Sequence, residues 1–298
     1  INYLLLIPVA AFLVWLVVWR LPFGAMERLF GLLGLCLLVF VVALWRLGPD
    51  WSGLWQAATD PHVPADETPF TYAYYGIALF GAAMTPYEVF FFSSGAVEDG
   101  WTKRDLNENR ANVFIGFPLG GLLSLAIMAC AHLVLAPRGI GVDELSQVVL
   151  PVAAILGKLG LAIALLGIFA ATFGAALETS LSAGYTVAQY LGWPWGKHRR
   201  PRAASRFHVV VLIAILAAVV IGCSGVDPVK VTEYSIVLSA AALPLTYFPI
   251  LVIANDPTYM GTTTNGRLLN TVATVYLVIL AAVSVATIPL MIITKAGQ

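Results

Sequence analysis

The chain has 298 residues, of which 60% are hydrophobic and only 11% are charged. Soluble domains average about 45–50% hydrophobic and about 25% charged residues, so this composition excludes a protein with an ordinary water-facing surface. Sixteen basic and sixteen acidic residues give no net charge, which argues against a nucleic-acid partner. The three cysteines lie far apart without a CxxC pair and predict neither a disulfide framework nor a zinc site. We expect an all-α multi-pass membrane protein.

Apolar segments long enough to cross a bilayer follow one another along the chain. A helix needs about 20 mostly apolar residues to span the hydrocarbon core. This rule predicts eight membrane-spanning segments, at 2–19, 27–46, 71–98, 111–135, 158–182, 207–224, 231–254 and 267–293. A further apolar stretch at 145–157 is too short to count separately, and we interpret it as an interfacial lead-in.

Lysine and arginine are distributed unevenly between the predicted loops. With loop 20–27 in the cytoplasm, eleven basic residues fall on the cytoplasmic side and four outside, with Lys158 near the outer edge. The cytoplasmic set is Arg20, Arg28, Lys103, Arg104, Arg110, Lys197, Arg199, Arg200, Arg202, Arg206 and Arg267. The outer set is Arg46, Arg138, Lys230 and Lys295. Because cytoplasmic loops carry the excess of positive charge, we expect a cell-membrane protein whose first residue lies on the outer side.

The loop 47–70 is assigned to the outer side. It contains four acidic residues and neither lysine nor arginine, in agreement with the same charge rule. The acidic residues are Asp50, Asp60, Asp66 and Glu67.

The segment 71–99 contains a proline close to its midpoint. Pro86 has no amide hydrogen, so the Ala82 carbonyl, four residues earlier, loses its helical partner at mid-membrane. An unpaired carbonyl is costly there unless something binds it. Thr85 places a hydroxyl oxygen beside it, and the Glu88 carboxylate suits the positive end of a restarting helix. Oxygen ligands at a broken helix are typical of a cation site in transporters; a proline kink packed against its neighbours is the alternative interpretation.

Two motifs resemble the natural resistance-associated macrophage protein (NRAMP) family of divalent-metal transporters. The first, GAAMTPYEVFFFSS at 81–94, is similar to the family's sixth helix, whose pattern is G-A-x-x-M-P-H-N-x-x-x-H-S. The second is similar to the family's tenth helix and the following loop, and comprises Leu243-Pro244, Pro249, Asn255-Asp256, Met260-Gly261, Asn265, Arg267 and Asn270. The order and spacing of the two motifs extend the resemblance over essentially the whole chain.

The resemblance implies a LeuT-like inverted-repeat transporter fold, with this chain corresponding to helices four to eleven. It divides the chain into the last two helices of the first repeat (1–46), the outer loop (47–70), a second five-helix repeat with its broken helix at 71–99 (71–254), and a cytoplasmic loop with an additional helix (255–298). The first three helices, including the one with the family's D-P-G-N metal-binding motif, are expected to precede Ile1.

The resemblance also implies a site for the metal, which is the transported substrate. Ala82 is expected to bind it through the main-chain carbonyl and Thr85 through the hydroxyl, directly or through a water. The residues expected to line the site are Met84, Pro86, Tyr87, Glu88 and Ala242.

Several of these positions depart from the family pattern. Thr85 stands where the family has a metal-binding methionine, and Ala242 where it often has a glutamine. Tyr87 and Phe92 stand where the family has histidines. A hydroxyl is a harder ligand than a thioether and favours Mg²⁺ or Mn²⁺. The sequence Thr-Pro-Tyr in place of Met-Pro-His resembles the NRAMP-related magnesium transporter branch.

We therefore expect uptake of Mg²⁺, and also of Mn²⁺, by alternating access without obligatory proton coupling, since titratable histidines are replaced. The alternatives are proton-coupled Mn²⁺ or Fe²⁺ uptake, an amino-acid carrier of the same fold, and a non-transporting membrane scaffold. No cofactor is expected beyond the transported cation, and the expected partners are the lipid bilayer and the missing N-terminal helices. The sequence has no paired catalytic acids, zinc-spaced histidines or activated serine, so no enzyme is predicted.

Overall fold

The computed structural model describes residues 3–63, 67–142 and 145–295. The regular structure in these ranges is helical, without strands. The predictions for Asp66 and for the side of Ile1 fall outside the described residues. The helices are α1 (Tyr3–Arg20), α2 (Phe23–Gly34), α3 (Val39–Leu47), α4 (Trp51–Thr59), α5 (Pro69–Ala83), α6 (Pro86–Glu98), α7 (Leu106–Ala111), α8 (Phe117–Val134), α9 (Leu150–Tyr190), α10 (Ser205–Cys223), α11 (Pro228–Asn255), α12 (Pro257–Met260) and α13 (Arg267–Ile293).

Seven helical segments among the described residues are long and apolar enough to cross a membrane. They are Gly24–Leu47, Pro69–Glu98, Lys103–Arg138, Leu145–Tyr190, Ser205–Cys223, Pro228–Asn255 and Arg267–Ile293. Together with the shorter apolar helix α1 they correspond to the eight predicted segments. Large apolar side chains such as Leu5, Phe114 and Val285 are exposed on these helices, as contact with lipid requires. The chain is an all-α multi-pass membrane protein.

The structure differs from the predicted elements in two regions. The predicted outer loop contains the short helix α4. The stretch 145–157 is helical and precedes a kink at Gly157, in agreement with the predicted start of the next segment at 158, but that segment ends at Tyr190 rather than at 182. The backbone of Gly157 is non-helical at the junction, with φ 65° and ψ −156°. Glycine adopts positive φ without steric cost, which permits this kink.

One compact unit comprises Ile1–Thr59 and Phe90–Val229. Its helices pack closely on α9, where glycines allow the approach. A Cβ atom added at Gly167 would lie 2.9 Å from the Leu37 side chain, and one at Gly184 would lie 2.6 Å from the Val211 side chain. The absence of a side chain at these two positions therefore allows α9 to pack closely against its neighbours.

The other compact unit comprises Asp60–Val89 and Lys230–Gln298. It contains α5, the first residues of α6, most of α11, and α12 and α13. Its core consists of Ile77, Ala240, Leu243 and Leu280. All of the residues predicted to form the metal site belong to this unit.

Two local features fix the ends of the helices in this unit. The Thr68 side chain caps α5 by accepting a hydrogen bond from the Thr71 amide at 3.1 Å, with proline at the first helical position. Between α11 and α13, the Asn270 side-chain amide donates to the Asn255 side-chain oxygen at 2.5 Å. The second motif therefore contains the polar contact that joins the ends of α11 and α13.

Candidate metal site at the broken helix

The predicted helix break lies at Met84 and Thr85, because α5 ends at Ala83 and α6 begins at Pro86. Met84 has an extended backbone, with φ −151° and ψ 100°, and its amide donates to the Gly81 carbonyl at 3.4 Å. Pro86 has no amide hydrogen to donate to the carbonyl of residue 82. The C-terminal end of α5, which is the negative end of its dipole, therefore lies next to the N-terminal end of α6, which is the positive end of its dipole.

The Thr85 hydroxyl is the most informative group at this break. Thr85 is only 6% exposed, and its Oγ1 atom has no hydrogen-bond partner among the described residues. A buried hydroxyl without a partner costs about 1–3 kcal/mol, and buried polar groups are nearly always paired in native proteins. A bound cation would satisfy this oxygen.

Glu88 lies in the first turn of α6. It follows Thr85 by three residues, which is the spacing of a capping box, and its half-buried carboxylate lies near the Thr85 amide. The carboxylate also lies near the Thr85 hydroxyl, but the two do not meet with hydrogen-bond geometry, so Oγ1 remains without a partner. Glu88 thus contributes to the start of α6 and lies beside the candidate ligands.

The second wall of the candidate site is α11. A Cβ atom added at Gly81 would lie 3.0 Å from the Ile236 carbonyl oxygen and 3.1 Å from the Ala240 Cβ atom, so α5 and α11 are in close contact here. Ala242 is half-buried on α11, two residues after Ala240. Pro244 lies within α11 and leaves the Ala240 carbonyl without its helical amide partner.

The structure places the other predicted site residues as follows. Ala82 is exposed in the last turn of α5, whereas Pro86 and Tyr87 are half-buried in the first turn of α6. The Met84 sulfur accepts a hydrogen bond from the Tyr276 hydroxyl at 3.3 Å. Its side chain thus packs in the core of this unit rather than standing free at the break.

Sequence reasoning missed two groups of contacts. Tyr276 and Ser284 of α13 contact the break and α11, and neither position carries a local signal. In the other unit, the Tyr185 hydroxyl donates to the Glu98 carboxylate at 2.5 Å, and the Gln189 side-chain amide donates to the Ser94 hydroxyl at 2.8 Å. These bonds join the C-terminal end of α6 to α9. The capping-box spacing of Thr85 and Glu88, in contrast, was legible in the sequence.

The donor set at the break determines what it can bind. A main-chain carbonyl and a hydroxyl are neutral, hard oxygen ligands, which suit Mg²⁺ or Mn²⁺ better than softer metals. Two such ligands hold a cation weakly, and the remaining coordination positions are available for water. Weak, partly hydrated binding fits an ion that must enter and leave.

The sequence is similar to those of known proteins. Residues 1–289 match the family model described as natural resistance-associated macrophage protein-like. A protein of Klebsiella pneumoniae named divalent metal cation transporter MntH is 27% identical over 269 residues, covering 87% of this chain and 60% of its own length. The protein of the same name from Erwinia tasmaniensis is 24% identical over 262 residues, covering 85% and 59%. The chain therefore spans about three fifths of the length of these relatives.

Proposed function

The chain belongs to the natural resistance-associated macrophage protein-like family, and from this premise we propose that the full-length protein transports divalent metal cations across the cell membrane. Mg²⁺ is the preferred substrate and Mn²⁺ is also accepted. The names of both relatives, divalent metal cation transporter, support the substrate class. The distribution of lysine and arginine supports an orientation with the first residue of this chain on the outer side.

The observation that carries this proposal is the buried Thr85 hydroxyl, which has no hydrogen-bond partner in the part of the chain that the structure describes. It lies directly after the extended residue Met84, where Pro86 leaves the Ala82 carbonyl without an amide. In this proposal the ion binds the two oxygens and retains several waters. Mg²⁺ gives up its waters reluctantly and uses few direct protein ligands, so a sparse oxygen site favours it.

Transport in this proposal does not require a proton to move with the metal. Tyr87 and Phe92 occupy the positions where the family pattern has histidines, which are the side chains that titrate near neutral pH. The acidic residue within 81–92 is Glu88, and its carboxylate lies near the Thr85 amide at the start of α6.

The test is metal uptake by the full-length protein in proteoliposomes loaded with a pH-sensitive dye. Wild-type protein should take up Mg²⁺ and Mn²⁺ without a proportional pH change, and Thr85→Val should weaken uptake of both ions. Thr287→Val is the matched control, because the Thr287 hydroxyl is already paired with the Val283 carbonyl at 2.7 Å. This control should transport like wild type.

Two outcomes would contradict the proposal. Absence of metal uptake by folded wild-type protein would refute metal transport itself. A pH change at a fixed ratio to the metal moved would refute uncoupled transport and favour proton-coupled Mn²⁺ uptake.

A further inference from the structure

The helix α13 contacts both chain segments that form the candidate site. The Tyr276 hydroxyl donates to the Met84 sulfur at 3.3 Å, and Met84 is the extended residue of the break. Two turns further along α13, the Ser284 hydroxyl donates to the Ala241 carbonyl at 2.6 Å. Ala241 directly precedes Ala242, the residue of α11 expected to line the site.

These contacts belong to one packed face of α13. Tyr276, Leu280 and Ser284 are spaced by four residues and therefore lie along the same side of the helix. Leu280 is fully buried in the core of the unit, and the Tyr276 ring packs edge-on against Tyr247 with ring centroids 5.3 Å apart. The Phe80 ring is the second aromatic neighbour, with ring centroids 6.3 Å apart, so packing against two rings restricts the position of the Tyr276 hydroxyl.

The bond to Tyr276 has a chemical consequence for Met84. A thioether is a soft ligand that favours metals such as Cd²⁺ over Mg²⁺, and Met84 directly precedes Thr85. A methionine side chain has several rotatable bonds and adapts readily to its surroundings. Without the hydroxyl of Tyr276, nothing polar among its described contacts would hold this sulfur in the core of the unit.

We propose that Tyr276 is a specificity-determining positioning residue: its hydroxyl holds the Met84 sulfur away from the ion, so that only oxygen ligands face it. Ser284 supports the same arrangement by fixing the α11 backbone beside Ala242. This inference rests on the proposed metal transport. It explains why Met84, next to Thr85, does not contribute a soft sulfur ligand to the ion.

The experiment measures Cd²⁺ and Mg²⁺ flux by the full-length protein in proteoliposomes. The variants are Tyr276→Phe, which removes only the hydroxyl, and the double variant Tyr276→Phe/Met84→Leu. Tyr247→Phe is the matched control, since it removes a hydroxyl from the neighbouring ring. A hydrogen bond contributes about 1 kcal/mol, so Tyr276→Phe should raise the ratio of Cd²⁺ to Mg²⁺ flux about fivefold. The double variant should lose this gain, and Tyr247→Phe should keep the wild-type ratio.

A purely structural role for Tyr276 would lower both fluxes together and leave their ratio unchanged, which would overturn the inference. A raised ratio that persists after Met84→Leu would overturn it as well, because the gain would not come from the sulfur. Should wild-type protein carry neither ion, the proposed transport function fails, and that outcome is distinct from an unchanged ratio in an active protein.

A spectroscopic measurement keeps the inference testable if Tyr276→Phe does not fold. X-ray absorption at the cadmium edge of the Cd²⁺-loaded wild-type protein should show no sulfur ligand contributed by Met84. A sulfur signal in the wild type that disappears in Met84→Leu would place the thioether on the ion and overturn the inference.

Discussion

Gly81 lies where α5 comes closest to α11, one residue before the candidate carbonyl ligand. In Gly81→Ala the new Cβ atom would meet the Ile236 carbonyl oxygen at 3.0 Å and the Ala240 Cβ atom at 3.1 Å. These distances are a few tenths of an ångström shorter than ordinary contacts, so one of the helices has to shift. Overpacking of this kind costs about 1–3 kcal/mol.

The matched control for this substitution is Gly76→Ala on the same helix. A Cβ atom at Gly76 would have nothing within 4 Å. Alanine is favoured over glycine within a helix by about 0.5–1 kcal/mol, and this gain applies equally to both variants. The difference between the variants therefore isolates the overpacking at Gly81, and we expect Gly81→Ala to be less stable than Gly76→Ala by about 1–3 kcal/mol.

The assay is thermal unfolding of the full-length protein in detergent, combined with metal uptake in proteoliposomes. Gly81→Ala should unfold at a lower temperature than Gly76→Ala and lose uptake, because the shift moves the carbonyl at the break. Equal stability and equal uptake in the two variants would refute the close contact between α5 and α11 on which the candidate site depends.

Three further predictions follow from other contacts. Thr85→Met should shift the flux preference from Mg²⁺ toward Mn²⁺ or Cd²⁺, and a tenfold shift corresponds to about 1.4 kcal/mol. Unchanged selectivity in an active variant would mean that Thr85 does not face the ion. Burial lowers the pKa of Lys197 from 10.5 to about 8, against the opposing effect of Glu98. Between these two pH values the unfolded chain binds more protons than the folded chain, so the free energy of unfolding should rise with pH. Lys197→Met should flatten this rise, as measured by thermal unfolding at several pH values. Asn270→Ala removes the 2.5 Å hydrogen bond to Asn255, which contributes about 1 kcal/mol to the free energy of unfolding. The variant should be cleaved faster by protease in the loop between α11 and α13 and should keep the wild-type ion preference.

The sequence predicted the features that depend on local chemistry. The eight apolar segments followed from bilayer thickness, and the helix break near Thr85 followed from the missing amide of Pro86. Thr85 directly precedes Pro86 and is therefore restricted away from the helical region, whereas the extended conformation of Met84, two residues before the proline, did not follow from this rule. The position of Glu88 in the first turn of α6, three residues after Thr85, could also be read from the sequence alone.

Long-range contacts were not predictable from local pattern. Tyr276 meets Met84 across 192 positions of sequence, and no periodicity or propensity selects that pair. The same holds for the bond between Tyr185 and Glu98 in the other unit. The kink at Gly157 coincides with the predicted boundary between 145–157 and the segment that starts at 158, but its positive φ was not predictable, because glycine only permits that conformation.

The position of Mn²⁺ in a structure of the full-length protein tests the candidate site directly. We expect a bound ion within about 5 Å of both the Ala82 carbonyl oxygen and Thr85 Oγ1, allowing one bridging water. Anomalous scattering identifies the ion, and Thr85→Val should weaken its signal. Ordered Mn²⁺ elsewhere in the transport pathway, with neither oxygen within that distance, would refute a metal site at the helix break.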